Sequence, residues 1–186
     1  KRLQCLPVKP ANPKYIPKPY EQMTHPGQRV QIDVKHVPAA CIVGEAEGEK
    51  FYQYTVIDEF SRFRYVEAFR EISTYSSMVF LEHMLKVFPF PVECVQTDNG
   101  FEFTKRFGSS KSDKDLTLFE KKLAELGIEH KKLRPFTPRH NGKVERSHRK
   151  DNEYFYATHR FYSFEDFSKQ LKIHNKKYNN FPMRPL

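Results

Sequence analysis

From Arg29 onward, short runs of β-branched and aromatic residues alternate with stretches whose apolar positions recur every three or four residues. The first pattern predicts strands and the second amphipathic helices. Residues 29–37, 50–58 and 63–69 predict three successive strands. The short polar joint Asp58-Glu59-Phe60-Ser61-Arg62 between the last two suits a hairpin, in which Asp58 is expected to structure the turn. Met78, Leu81, Leu85 and Phe88 then predict a helix over about 74–88, ended by Pro89 and Pro91.

Residues 93–97 predict a fourth strand that delivers Asp98 ahead of an Asn99-Gly100 turn signal. Thr117 and Glu120 form a capping box for a second helix with a stripe of Leu116, Phe119, Leu123 and Leu126, closed by Gly127. Residues 128–133 predict a fifth strand. Asn141 is the expected N-cap of a third helix reaching about His159, with Val144, His148, Asp151 and Phe155 on one side and Glu145, Arg149 and Asn152 on the next. A last helix starts at Ser163, with Phe164, Phe167 and Leu171 as its buried stripe. The order β-β-β-α-β-α-β-α-α predicts an α/β fold, a mixed sheet with parallel later strands and helices on its faces.

Composition adds domain limits. Six of the 13 prolines fall within residues 1–28, which predicts an extended linker or arm; residues 29–180 form the expected core and 181–186 a tail. The polar residues 105–115 are expected to form a mobile loop. Cys5, Cys41 and Cys94 are an odd, widely spaced set without a C-x-x-C pair, which argues against a disulfide framework or a thiolate zinc site and predicts a cytoplasmic protein. No run approaches 18 apolar residues, so no membrane partner is expected. The first residue is Lys1, and the chain is read as part of a longer protein with an upstream domain. Net charge is +9, and residues 121–150 alone hold ten Lys/Arg against three Asp/Glu. That balance favours an anionic partner such as nucleic acid.

Three carboxylates then change the picture. Asp33 sits between apolar neighbours in the first strand, where a lone charge would be costly. Asp98 ends the fourth strand. If those strands are neighbours, the two can lie side by side with a helix-borne Glu145 closing the third side, an arrangement that needs a cation. Hard divalent ions take oxygen ligands, so the set suits Mg²⁺ or Mn²⁺. Taken singly, Asp98 reads as a turn residue and Glu145 as a surface charge paired with Arg149; Glu102 is the nearest rival as a metal ligand. Arg139, His140, Lys143, Arg146, Arg149 and Lys150 surround Glu145 as candidate phosphate contacts.

Three segments carry a resemblance: Gln31-Ile32-Asp33; Thr97-Asp98-Asn99-Gly100-x-Glu102-Phe103; and Pro135-x-x-Pro138-x-x-Asn141-Gly142-x-Val144-Glu145-Arg146. Together they resemble the D-D-E signature of the retroviral-integrase superfamily, in forms closest to bacterial insertion-sequence transposases. The resemblance spans about residues 29–178. It implies a ribonuclease-H-like five-stranded fold and metal-dependent DNA strand cleavage and transfer. It makes Asp33, Asp98 and Glu145 the catalytic ligands of two ions, without a small-molecule cofactor, in a homo-oligomer that pairs DNA ends in a bacterial nucleoid. A nuclease that does not join strands, and a non-catalytic DNA-binding module, are the alternatives. The 46 residues between Asp98 and Glu145 exceed the family's usual interval, and the 105–115 loop absorbs the excess.

Overall fold

The structure is a computed structural model, and it describes residues 21–105, 116–133 and 141–181. The predicted arm up to residue 20, most of the 105–115 loop, Arg139, His140 and nearly all of the tail lie outside the described residues.

Five strands form one sheet in the order β3-β2-β1-β4-β5: β1 (Val30–His36), β2 (Tyr52–Asp58), β3 (Arg64–Phe69), β4 (Cys94–Thr97) and β5 (Glu129–Lys132). β1, β2 and β3 pair antiparallel, whereas β1–β4 and β4–β5 pair parallel, as the element order predicted. The crossovers are helical: α1 (Thr74–Val87) and α2 (Leu118–Glu125), followed after β5 by α3 (Gly142–Asp151) and α4 (Phe164–Asn180).

Strand alternation divides the molecule into two cores. Val30 and Ile32 of β1 and Tyr54 and Val56 of β2 pack under Phe80, Leu81 and Met84 of α1 and Phe119 and Leu123 of α2. On the other face, Phe51, Val66 and Ala68 meet Phe155, Phe167 and Leu171 beneath α3 and α4. Because both faces are covered, every β2 residue after Tyr52 is buried.

Three expectations need correction. The buried centre of α1 is Phe80, Leu81 and Met84, with Met78 and Leu85 only half-buried at its flanks, because the helix presents the intervening ridge to the sheet. Leu116 and Leu126 are exposed, so the α2 stripe shrinks to Phe119 and Leu123 around the capping box of Thr117 and Glu120. The third helix stops being α-helical at Asp151 and passes through a π turn over Asn152–Tyr156. Phe155 and Tyr156 within that turn are both buried.

Two short 3₁₀ turns, Ala39–Cys41 and Gly44–Ala46, were not anticipated. The Asp58 expectation holds: its carboxylate accepts from the amides of Gly27 and Ser61 and the Ser61 hydroxyl, which ties the hairpin to the entry of β1.

Candidate active site

The β1–β4 register pairs Val30 with Val95 and Gln31 with Gln96, and continuing it two steps sets Asp98 opposite Asp33. In-register neighbours share a sheet face at the interstrand spacing of about 4.8 Å. The two carboxylates are electrostatically coupled. Burial, followed by the charge of Asp33, pushes the Asp98 carboxyl up against the opposing hydrogen bond from the Gly100 amide. A lone pair of acids held this way favours a positive ion between them.

Local chemistry fixes both side chains. Asp33 Oδ1 accepts from the Val34 amide at 2.9 Å, and its Oδ2 lies 3.4 Å from Nδ1 of His148 on α3. Asp98 Oδ1 accepts from the Gly100 amide at 2.9 Å, an Asx turn that stops β4. Asn99 donates to the carbonyl of Leu133 at 2.6 Å, stapling this turn to the end of β5.

Glu102 follows on the same turn with 8% exposure, its carboxyl also pushed up by burial and then by Asp98 and Asp33. A Cβ at Gly100 would lie 2.5 Å from a Glu102 carboxylate oxygen, so glycine is what lets Glu102 fold back over the turn.

Odd-numbered residues of β1 meet α3 in successive contacts. Gln31 Oε1 accepts from the amides of Lys143 and Val144 at 3.2 and 3.1 Å, Asp33 meets His148, and Lys35 Nζ reaches the His148 carbonyl and Asn152. On the opposite flank of the helix, Ser147 and Asp151 bond Arg64 of β3. With about 100° per residue, Glu145 projects on the His148 flank of α3, away from Ser147. Glu145 is solvent-exposed. Among the described residues no three acidic, histidine or cysteine side chains form a ready-made metal cage. The structure therefore brings Asp33, Asp98 and Glu102 into mutual electrostatic contact, whereas Glu145 is exposed on α3, three residues before the His148 that meets Asp33.

Of the described candidate phosphate contacts, Arg146 and Arg149 are exposed and Lys150 is half-buried. Lys143 turns inward, its Nζ donating to the Glu59 carbonyl at 2.7 Å. Asn141 occupies the N-cap position of α3, but its side chain makes no capping bond; Gln31, from another element, supplies that acceptor. Sequence reasoning missed Gln31, Glu59 and His148 as site neighbours. The available signal was positional, since Gln31 is two residues from Asp33 on one strand and His148 one helical turn after Glu145.

Models of the integrase core domain match residues 23–138 and 126–185. The chain belongs to the integrase core domain family. "Putative integrase ORF3" of Spiroplasma virus SpV1-C74 is 27% identical over 170 residues, covering 77% of this chain and 45% of that protein. Among solved structures, the simian T-cell lymphotropic virus intasome in complex with PP2A regulatory subunit B56 gamma superposes with a TM-score of 0.67 at 18% identity, over 94% of this chain and 56% of that one. The catalytic core domain of BIV integrase gives 0.58 at 18% identity, covering 86% and 88%. That of HTLV-2 integrase, a dimeric form in complex with magnesium, gives 0.57 at 17% identity, covering 86% and 90%. These likenesses establish the ribonuclease-H-like fold for this integrase core. The chain spans about half the length of the viral relative and of the intasome protein.

Proposed function

We propose that this integrase core catalyses metal-dependent cleavage and joining of DNA strands by in-line phosphoryl transfer. Asp33, Asp98 and Glu145 are the ligands in this reading, holding two Mg²⁺ or Mn²⁺ ions. The observation that carries it is the charge-coupled pair Asp33 and Asp98, one within β1 and one just past the C-terminal end of the neighbouring parallel strand β4. An all-oxygen donor set suits a hard divalent ion.

Bound magnesium would neutralise charge at the scissile phosphate and acidify the attacking water or DNA 3′-hydroxyl. The chain's own residues do the placing. The Val34 amide and His148 hold the Asp33 carboxylate from both oxygens. The Gly100 amide aims that of Asp98. Glu145 would complete the set from α3, and Arg146 and Arg149, exposed on the same helix, would take the flanking phosphates.

A homo-oligomer holding two DNA ends belongs to the same reading, supported by the intasome and the dimeric core among the structural neighbours. So does a cytoplasmic, nucleoid-associated setting. No helix among the described residues is long and apolar enough to cross a membrane.

The test uses full-length protein, DNA-end duplexes and Mg²⁺, with Asp33→Asn, Asp98→Asn and Glu145→Gln. Each substitution keeps volume but removes a negative ligand, so cleavage and joining should both fall by orders of magnitude while thermal melts stay near wild type. Cleavage without any joined product in the wild-type protein would assign a nuclease instead. Near-normal turnover in a folded Glu145→Gln variant would remove Glu145 from the site.

A further inference from the structure

We infer that Gln31 is a positioning residue for this reaction, an N-cap supplied from β1 that sets where α3 presents Glu145 relative to Asp33. The inference rests on the proposed role of Glu145 as a ligand. An α-helix opens with amides that lack intrahelical partners, and the residue at the N-cap ordinarily takes one of them. In α3 the Asn141 side chain does not. The amides of Lys143 and Val144, the two residues before Glu145, instead donate to one oxygen, Oε1 of Gln31, which is 1% exposed.

The orientation of that amide group is determined by its surroundings. Its Nε2 donates to Glu59 Oε1 at 2.9 Å, and a carboxylate can only accept, so the Gln31 oxygen must face the helix. Glu59 is in turn fixed by Arg29, whose Nε and Nη2 donate to its two oxygens at 2.7 and 3.2 Å, and its backbone carbonyl takes the Lys143 ammonium. A buried chain of contacts therefore runs Arg29, Glu59, Gln31, start of α3.

Asp33 lies two residues beyond Gln31 on the same face of the same strand, about 6.6–6.8 Å along it. One rigid strand thus carries a ligand and, separately, the group that docks the helix carrying another. Helix propensity cannot set that distance; a side-chain bond between the two elements can. Displacement of a reacting group by about 1 Å is enough to lower a rate on the order of 100-fold.

The experiment uses full-length protein with four variants: Gln31→Met, Gln31→Glu, Glu59→Gln and the double exchange Gln31→Glu/Glu59→Gln. Methionine keeps the length but loses both polar contacts. The double exchange keeps the total charge and restores a donor facing an acceptor with the roles reversed. Three readouts are taken: kcat and KM on a DNA-end duplex, Mn²⁺ affinity by calorimetry, and hydrogen exchange at the Lys143 and Val144 amides. For Gln31→Met we expect kcat to fall on the order of 10- to 100-fold with KM within about twofold. Weaker Mn²⁺ binding and faster exchange at the two amides should accompany it, and the double exchange should recover most of what each single variant loses.

A folded Gln31→Met with normal kcat, normal Mn²⁺ affinity and slow amide exchange overturns the inference. If Gln31→Met does not fold, Gln31→Glu and its rescue by Glu59→Gln decide: rescue supports the cap, and a fully active single variant overturns it. Glu145→Gln run alongside separates the two proposals. If that variant is active, the ligand assignment fails; if it is inactive while folded Gln31 variants stay normal, only the cap fails.

Discussion

Arg64 of β3 and Asp151 at the end of α3 form an ion pair at 2.8 Å, with no solvent exposure of either side chain. Burial pushes the Asp151 carboxyl up, and bonds from His174, Arg64 and Gln53 outweigh it, holding the group well below the usual carboxylate range. The pair joins the helix that carries Glu145 to the antiparallel edge of the sheet. Asp151→Asn keeps the volume but leaves a buried guanidinium without its counter-charge, so unfolding free energy should drop by about 3–5 kcal/mol. Urea denaturation measures this. A loss under about 1 kcal/mol would mean that the pair is no more than an ordinary exposed ion pair.

Gly27 anchors the entry to β1 through its amide, which donates to Asp58, and its carbonyl, which accepts from Glu93. Its φ is +83°, and a Cβ there would lie 1.9 Å from the carbonyl oxygen of Pro91. A left-handed conformation alone costs a non-glycine residue about 1–2 kcal/mol, and here backbone must also move. Gly27→Ala should therefore destabilise by more than about 2 kcal/mol, whereas Gly48→Ala, with φ +88° but open space around it, should show only the conformational part. Equal melting temperatures for the two variants would contradict the clash.

His130 on β5 titrates unusually low, at about 4, because burial and then the Lys132 charge disfavour its protonated form. The Thr97 hydroxyl donates to the Asp98 carbonyl, so His130 Nε2 must be the donor in its 2.9 Å contact with Thr97. A lowered histidine pKa contributes stability that is present above the unfolded value near 6.5 and lost as pH falls toward 4. The loss should approach about 2–3 kcal/mol across that window. Asp151 adds its own loss only below its unfolded value of about 3.8, so the two steps are separable. Chemical denaturation between pH 7 and 4 should show the His130 slope, and His130→Gln should flatten it.

Arg146 and Arg149 are exposed on α3, within a stretch, residues 121–150, of ten Lys/Arg and three Asp/Glu. DNA binding by the domain should be weak, largely independent of sequence and steeply salt-dependent. Replacing either arginine by alanine should weaken binding uniformly across sequences and reduce the salt slope by about one. Fluorescence anisotropy at several salt concentrations tests it, and an unchanged slope in both variants would place the contacts elsewhere.

Much of this fold was legible in the sequence because its signals are local. Runs of alternating β-branched residues, the Thr117/Glu120 capping box, the Asp58 turn and the Asn99-Gly100 stop each act within a few residues, and the structure bears them out. The succession of elements gave a mixed sheet with parallel later strands, and the three motif segments identified the family; that β1 and β4 are neighbours is shown by the structure.

What the tertiary structure decided is everything that depends on two distant segments meeting. Gln31 stood in the first motif beside Asp33 with no role of its own; it caps α3 because the helix start arrives over its side chain from 112 residues away. Arg64 of the edge strand β3 is fully buried because Asp151, 87 residues later, supplies its counter-charge. The π turn after Asp151 carries Phe155 and Tyr156 into the second core, where they meet Phe161. Local propensity is set by neighbours in the chain, whereas burial of a polar group is permitted only when its partner is brought to it by the fold.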